Sequence, residues 1–309
     1  MIKRIFCSSI LLCWFSAISQ NQISDILNYD EQVEKITVEK EKIAFVDVGS
    51  GEKTLLFIHG LSSNLQSWNK NVSKLKNNYR CIALDLPGYG KSTKNSSTYS
   101  LKEYADFLNS FIEKKNLQDV ILIGHSMGGQ VAVQTVLAAQ DNFKKLILIA
   151  PAGIETFSDD EAKLMKATYT AAIVENSSAE QIRNNFKMNF HQFPEDAEFM
   201  IKERIAMKEA EDMKIYSKVV VNNIHAMLDE PVIERLAEIE IPVLMIYGKN
   251  DLLIPNTYFH PSQDINSLVQ DAEERISDLK VKLISEAGHF VNFEKSEEVN
   301  KEISEFLKN

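Results

Sequence analysis

Short apolar runs alternate with amphipathic segments along most of the chain. Continuous apolar runs are typical of strands that are buried on both faces of a parallel sheet. Residues 54–58 form such a run, and strands are also predicted at residues 80–84, 120–123, 145–150, 241–247 and 281–284. Apolar side chains at helical spacing predict helices at residues 66–76, 100–115, 263–279 and 297–307, and from Ser126 to about 139. This alternation predicts an α/β fold with a mostly parallel, doubly wound sheet built from right-handed crossovers.

The segment before the first parallel strand has two parts. Residues 20–32 are polar, and their composition predicts a flexible or weakly ordered lead-in. Residues 36–39 and 43–48 have strand character, and a Gly-Ser-Gly turn follows them at residues 49–51. They predict two antiparallel strands at the edge of the sheet.

Residues 155–235 lack short β runs and are rich in Glu, Lys, Met and Ala. Helices are predicted there at residues 159–174, 179–189 and 194–228. We interpret the region as a helical insertion over the sheet. It divides the chain into a first core part at residues 33–153, a helical cap at 154–235 and a second core part at 236–309. The aromatic and Met side chains of the insertion are interpreted mainly as helix-packing contacts, with the lining of a pocket as the alternative.

The first 19 residues have the order of a secretory signal peptide. Lys3 and Arg4 precede an apolar run at residues 5–15, and Ala17-Ile18-Ser19 supplies a small-x-small cleavage site. The run is shorter than the about 20 residues of a membrane-spanning helix, so an uncleaved anchor is the less favoured alternative. We therefore predict an exported bacterial protein, periplasmic or secreted, with no stable membrane span after cleavage. Cleavage leaves Cys81 as the only cysteine, which excludes an internal disulfide and predicts a buried thiol.

Composition excludes some classes of partner. The hydrophobic content of 44% and the charged content of 25% are those of an ordinary globular protein. The formal net charge is −10, and no basic stripe is present to neutralise phosphates. Nucleic acid is therefore not an expected partner, and neither is an anionic membrane surface.

The stretch at residues 120–132 has the form of a nucleophile elbow. Four β-favouring residues lead to Gly124-His125-Ser126-Met127-Gly128, and a helical run follows. In such an elbow the serine occupies a sharp, strained turn from strand to helix, and glycines flank it where the two backbones pass closely. A glycine-rich turn with a solvated serine is the alternative interpretation of this segment.

Ser126, Asp251 and His289 each follow a predicted parallel strand, in the order serine, acid, histidine. A serine hydroxyl needs a neighbouring base, and the base needs a carboxylate that fixes its tautomer and stabilises the imidazolium. The alternatives are an Asp in a solvated turn and a His that caps a loop. Acyl transfer also needs donors for the oxyanion, and the best candidates are the backbone N–H groups of Met127 and Leu61.

Other polar residues receive structural interpretations. His125 is expected to pack or to form a structural hydrogen bond, His59 to shape the oxyanion loop, and Asp85 to stabilise a turn. His191, His225 and His260 lie in helical or inserted segments. The sequence contains no cluster with metal-ligand spacing and no Gly-x-Gly-x-x-Gly before a helix, so neither a metal nor a nucleotide cofactor is expected.

The resemblance to a known family rests on Phe57-Ile58-His59-Gly60, Asp85-Leu86-Pro87-Gly88-Tyr89-Gly90-Lys91-Ser92, Gly124-His125-Ser126-Met127-Gly128-Gly129, Gly248-Lys249-Asn250-Asp251 and Gly288-His289-Phe290. Over about residues 33–309 the chain resembles the α/β-hydrolase superfamily, especially its esterase, monoacylglycerol-lipase-like and carbon–carbon hydrolase branches. The resemblance implies the α/β-hydrolase fold with a helical cap, with Ser126 as nucleophile, His289 as base and Asp251 as orienting acid. Serine at the elbow departs from epoxide hydrolases and haloalkane dehalogenases, which use Asp there. Residues 256–270 form a longer link than is usual in the family.

The resulting hypothesis is an exported serine hydrolase that cleaves a carboxylic ester through an acyl-enzyme. The apolar character of the insertion favours a small or medium hydrophobic acyl group, in an ester or lipid-like small molecule. Hydrolysis of a carbon–carbon or amide bond is a second hypothesis. A catalytically silent ligand-binding protein of the same fold is a third, because fold does not fix function.

Overall fold

A computed structural model describes residues 21–95 and 98–308. Within these residues one sheet contains β1 (Glu34–Val38), β2 (Glu41–Val48), β3 (Thr54–Ile58), β4 (Arg80–Leu84), β5 (Val120–His125), β6 (Phe143–Ile149), β7 (Val243–Gly248) and β8 (Leu279–Ile284). The strand order is β1-β2-β4-β3-β5-β6-β7-β8. β2 is antiparallel to both β1 and β4, and all the other neighbours are parallel. The predicted mostly parallel sheet and its antiparallel pair are confirmed, although of that pair only β1 is an edge strand, because β2 also pairs with β4.

The α-helices are α1 (Ile23–Ile26), α2 (Asn69–Leu75), α3 (Leu101–Lys114), α4 (Met127–Ala138), α5 (Asp159–Thr168), α6 (Ala171–Asn176), α7 (Ala179–Lys187), α8 (Glu198–Ala206), α9 (Met213–Asp229), α10 (Ile265–Glu273), α11 (Val291–Glu294) and α12 (Ser296–Phe306). Short 3₁₀ helices lie at Leu65–Trp68, Gln140–Asn142, Glu195–Ala197, Met207–Glu209 and Ile233–Glu238. Helices α5–α9 come between β6 and β7, which is where the sequence predicts a helical insertion. The division of the chain into core and cap at residues 154 and 235 stays a prediction.

The sheet separates two apolar layers because successive side chains of a strand point to opposite faces. On one face Leu56, Leu122 and Leu146 pack with side chains of α3, α4 and α10. On the other face Phe57 and Ile123 pack with side chains of α2 and α12. The continuous apolar runs predict this burial on both faces. Because the strands are packed from both sides, the positions of their carboxyl ends are well defined.

Several predicted helices are shorter in the structure. The helix predicted at residues 159–174 is two helices, because Thr170 begins α6 by accepting a hydrogen bond from the N–H of Ile173. The helix predicted at 194–228 is interrupted at Ala210, whose backbone is extended with φ −78° and ψ 145°. The helix predicted at 263–279 ends at Glu273, because the chain must turn before β8 begins at Leu279.

The prediction of a weakly ordered lead-in is wrong for residues 22–31, which we call the N-terminal strap. Ile23 and Leu27 of the strap are buried. The N–H of Ile23 donates to Asp212 Oδ1 at 2.8 Å, which ties the strap to the start of α9. The Tyr29 hydroxyl donates to Asp85 Oδ2 at 2.7 Å, which ties it to the loop after β4. The strap therefore joins the helical insertion to the sheet layer.

Two further predictions concern the export hypothesis and the thiol. The predicted signal peptide and the alternative of a membrane anchor fall on residues 1–19, which lie outside the described residues. In residues 21–95 and 98–308, no helix combines the length and the apolar character that a membrane crossing requires.

Cys81 is buried as predicted, and burial raises the pKa of its thiol to about 12.

Candidate active site

Ser126 occupies the turn between β5 and α4. Its φ of 53° and ψ of −121° lie outside the helical and strand regions, and such a conformation in a residue with a Cβ is strained. A Cβ on Gly124 would lie 2.2 Å from the carbonyl oxygen of Gly128, and one on Gly128 would lie 2.4 Å from that of Ile58. The sequence Gly-x-Ser-x-Gly therefore folds into the close strand-to-helix turn that presents Ser126 at the carboxyl end of β5.

Asp251 and His289 meet at the same edge of the sheet, after β7 and β8. His289 Nδ1 lies 2.8 Å from Asp251 Oδ2, and both residues are buried. Asp251 Oδ1 accepts the N–H groups of Leu253 at 2.8 Å and Ile254 at 3.1 Å. A carboxylate with these donors holds the proton of the imidazole on Nδ1, which leaves Nε2 as the basic nitrogen.

His125, next to the serine, forms a hydrogen bond with the backbone of His289 and lies against its ring. Its Nε2 donates to the backbone carbonyl oxygen of His289 at 3.0 Å, and the two ring centroids are 4.9 Å apart. Burial lowers the pKa of His125 well below its ordinary value, so the ring is neutral. The residue therefore makes the structural hydrogen bond that the sequence suggests, and it fixes the backbone that carries the His289 imidazole.

The two predicted oxyanion donors come from elements that adjoin Ser126. Met127 is the first residue of α4, and the first N–H groups of a helix have no acceptor inside the helix. Leu61 follows Gly60, where a Cβ would lie 3.1 Å from the Cβ of Ser126 and 3.0 Å from His125 Nδ1. The loop after β3 therefore packs directly against the serine.

His59 holds the start of that loop. Its Nε2 accepts the N–H of Leu86 at 3.1 Å, so the proton is on Nδ1, which lies 2.8 Å from the carbonyl oxygen of Gly60. Burial lowers the pKa of His59 to about 4, so this histidine is neutral at pH 7. Both nitrogens are engaged, which agrees with a structural role in the loop and argues against a role as base.

Asp85 does more than stabilise a turn. It is fully buried, and its carboxylate accepts the N–H groups of Leu65 and Lys91, at 2.8 and 2.7 Å, besides the Tyr29 hydroxyl. Burial raises the pKa of Asp85 to about 6. The sequence shows the loop motif that contains Asp85, but not that the strap and the loops after β3 and β4 converge on it.

Glu203 on α8 is a partly buried carboxyl group that the sequence does not single out. Its Oε1 accepts the N–H of Asn28 in the strap at 3.2 Å. Burial raises the pKa of Glu203 to about 7, and the nearby charge of Asp85 adds to the rise. Nothing in the sequence around Glu203 distinguishes it from the other acids of the insertion, because its environment is created by a segment 175 residues away.

The raised pKa of Glu203 predicts a pH-dependent stability. A carboxyl group with a higher pKa in the folded state stabilises the fold below its ordinary pKa of 4.5, and this contribution is lost as the pH rises through about 7. Between pH 5 and pH 8 we expect the wild-type free energy of unfolding to fall by about 1 kcal/mol more than that of Glu203→Gln, after allowance for partial solvent exposure. Urea unfolding at both pH values measures the difference.

A matched control for this comparison is Glu273→Gln, which removes the same charge from an exposed position on α10. It should keep the wild-type pH dependence. Equal pH dependence of the wild type and Glu203→Gln would contradict the prediction.

The long link after β7 is bonded to the beginning of the helical insertion. The N–H of Asn256 donates to Glu155 Oε1 at 2.8 Å, and His260 Nδ1 lies 2.5 Å from the same oxygen. The ring of Phe157 stacks on His260 with centroids 5.1 Å apart. The long link at residues 256–270 thus includes a segment that holds the beginning of the insertion close to the loop that contains Asp251.

Comparison with known proteins relates this architecture to a family. The acetyltransferase component (dihydrolipoyllysine-residue) of the acetoin cleaving system of Cupriavidus necator is 26% identical over 84% of this chain, and the chain spans 64% of that protein's length. A 2-hydroxy-6-oxononadienedioate/2-hydroxy-6-oxononatrienedioate hydrolase of Pseudomonas putida is 25% identical over 86% of this chain and 91% of the relative.

The fold is also found among solved structures. The esterase of Exiguobacterium antarcticum superimposes with a TM-score of 0.74 at 21% identity, over 90% of this chain and 100% of the esterase. Residues 53–296 match the family described as the alpha/beta hydrolase fold. Because this match covers most of the sequence, the chain belongs to the alpha/beta hydrolase fold family.

Proposed function

We propose that this protein is a serine hydrolase that cleaves a carboxylic ester with a small or medium hydrophobic acyl group. The observation that supports this most directly is the 2.8 Å contact between His289 Nδ1 and Asp251 Oδ2 at the sheet edge that also presents Ser126. This contact keeps the imidazole proton on Nδ1, so Nε2 of His289 can act as the base for a serine hydroxyl. Helices α5–α9 act as the cap over this site.

In the proposed reaction, Ser126 Oγ attacks the ester carbonyl carbon while its proton passes to His289 Nε2. The N–H groups of Met127 and Leu61 stabilise the resulting oxyanion. When the tetrahedral intermediate collapses, His289 protonates the alkoxide oxygen, the alcohol leaves and the acyl group remains on Ser126. Water then attacks the acyl-enzyme with His289 again as base, which releases the carboxylic acid and restores the serine hydroxyl.

Cleavage of a carbon–carbon bond is the second candidate, because one relative is a hydrolase of 2-hydroxy-6-oxononadienedioate. The same base and oxyanion donors would serve both reactions, so the groups around Ser126 do not separate them. The difference lies in the scissile bond, since an ester supplies an oxygen leaving group and a vinylogous diketone supplies a carbon leaving group.

The deciding experiment compares the two substrate types with one preparation of the protein. We expect p-nitrophenyl acetate and butyrate to be hydrolysed with a saturable kcat, and a vinylogous 1,5-diketone to be turned over at least 100-fold more slowly. Faster turnover of the diketone would replace the ester proposal with the carbon–carbon one. If neither is turned over and fluorophosphonate does not label the folded protein, the ligand-binding hypothesis takes its place.

A further inference from the structure

A cavity of about 30 Å³ lies where the N-terminal strap, the loop after β3 and the helical insertion meet. Its walls include the apolar side chains of Leu27 from the strap and of Phe186, Met200 and Met207 from the insertion. The polar lining residues are Ser62, Ser63, Asn64 and Ser67 from the segment after β3, and Glu203 and Arg204 from α8. Three separate parts of the chain thus line one small space with both apolar and polar side chains.

One wall of the cavity is next in the chain to the proposed oxyanion donor Leu61. Ser62 directly follows Leu61, and consecutive Cα atoms are about 3.8 Å apart. Gly60, on the other side of Leu61, packs against the Cβ of Ser126. The same loop therefore contains a proposed oxyanion donor and part of the cavity wall.

The charged groups at the cavity are already engaged with protein atoms. Glu203 accepts the N–H of Asn28, as described above. Arg204 Nη2 donates to the carbonyl oxygen of Val174 at 3.3 Å, and its guanidinium lies 5.1 Å from the centroid of the Tyr216 ring. The other lining groups are four apolar side chains, three serine hydroxyl groups and the Asn64 amide, none of them charged, and the apolar part suits an uncharged hydrocarbon chain.

Leu27 is held in place from both sides. Before it, the N–H of Ile23 is bonded to Asp212, and after it Asn28 and Tyr29 are bonded to Glu203 and Asp85. Leu27 itself is 3% exposed. A side chain fixed in this way forms a defined wall, whereas one on a mobile segment would yield to the ligand.

We propose that Leu27 is a specificity-determining residue that closes the end of a subsite for the acyl chain of the substrate. This inference rests on the proposed ester hydrolysis. A cavity of this size accommodates about two water-sized groups. The wild-type protein should therefore prefer short acyl chains, and truncation of Leu27 should lengthen the subsite by about three carbon atoms.

The test measures kcat/KM of Leu27→Ala and Leu27→Phe for p-nitrophenyl acetate, butyrate, hexanoate and octanoate. Each methylene group that becomes buried should favour binding by about fourfold. We therefore expect the hexanoate-to-acetate ratio of Leu27→Ala to rise at least tenfold above wild type, and the butyrate-to-acetate ratio of Leu27→Phe to fall. A ratio of two substrates within one variant is independent of the fraction of folded protein.

Ile23→Ala is the matched control, since Ile23 is a fully buried residue of the same strap that does not line the cavity. It should keep the wild-type ratios even if it loses stability. Unchanged ratios in Leu27→Ala would overturn the inference, as would a shift confined to a series of acetate esters with longer alcohols. Absence of ester turnover in the wild type would overturn the proposed function, and the inference with it.

Discussion

Ser126→Ala should abolish ester hydrolysis, because it removes the only proposed nucleophile while leaving the oxyanion donors in place. Loss of a catalytic serine typically lowers kcat by about 10⁶-fold, with a small residual rate that comes from binding and the oxyanion hole. The measurement is burst and steady-state kinetics with p-nitrophenyl butyrate. In parallel, a fluorophosphonate should form one adduct on Ser126 of the wild type, located by mass spectrometry, and none on the variant.

Ser304→Ala provides the matched control for this substitution. Ser304 lies on α12, where its hydroxyl donates to the carbonyl oxygen of Asn300 at 2.8 Å. This variant should keep both the activity and the label. An adduct on another residue, or hydrolysis by Ser126→Ala within tenfold of the wild type, would refute Ser126 as the nucleophile.

Asp251→Asn has the second-largest expected effect. An asparagine oxygen can still accept the N–H groups of Leu253 and Ile254, but the amide N–H₂ then faces His289 Nδ1 as a donor. The imidazole must place its proton on Nε2, which is the nitrogen that has to accept the proton of the serine. We expect kcat to fall by about 10⁴-fold with little change in the folded structure.

The Asp251→Asn measurement is kcat for p-nitrophenyl butyrate, with circular dichroism and urea unfolding to establish that the variant is folded. Asp264→Asn, at the exposed N-cap of α10, is the matched control and should remain fully active. A loss of less than tenfold in Asp251→Asn would mean that another group orients the histidine.

The parts of the site that depend on local sequence are predictable. The elbow at Ser126 follows from a strand, two glycines and a helix that are contiguous in the chain, and the structure contains that turn. Asp251 and His289 come together because each follows a parallel strand, and the carboxyl ends of such strands share one edge. In both cases the determining signal lies within a few residues of the side chain that it places.

The N-terminal strap could not be predicted because its partners are remote. Tyr29 bonds to a residue 56 positions away, and Ile23 to one 189 positions away. Its buried apolar residues are too few and too irregularly spaced to stand out among polar neighbours. The interruption at Ala210 has the same origin, since no helix-breaking residue stands there and the adjoining Asp212 is occupied by Ile23 instead of capping α9.

The strap also affects how the protein opens by local unfolding. A segment that is hydrogen-bonded both to α8 and α9 and to the loop after β4 must detach before these regions can separate. Amide hydrogens on either side of it should then exchange with solvent in a common opening, as in a single cooperative unit. The ten residues of the strap are thus expected to help the insertion and the sheet layer open as one foldon, although the two regions are far apart in the sequence.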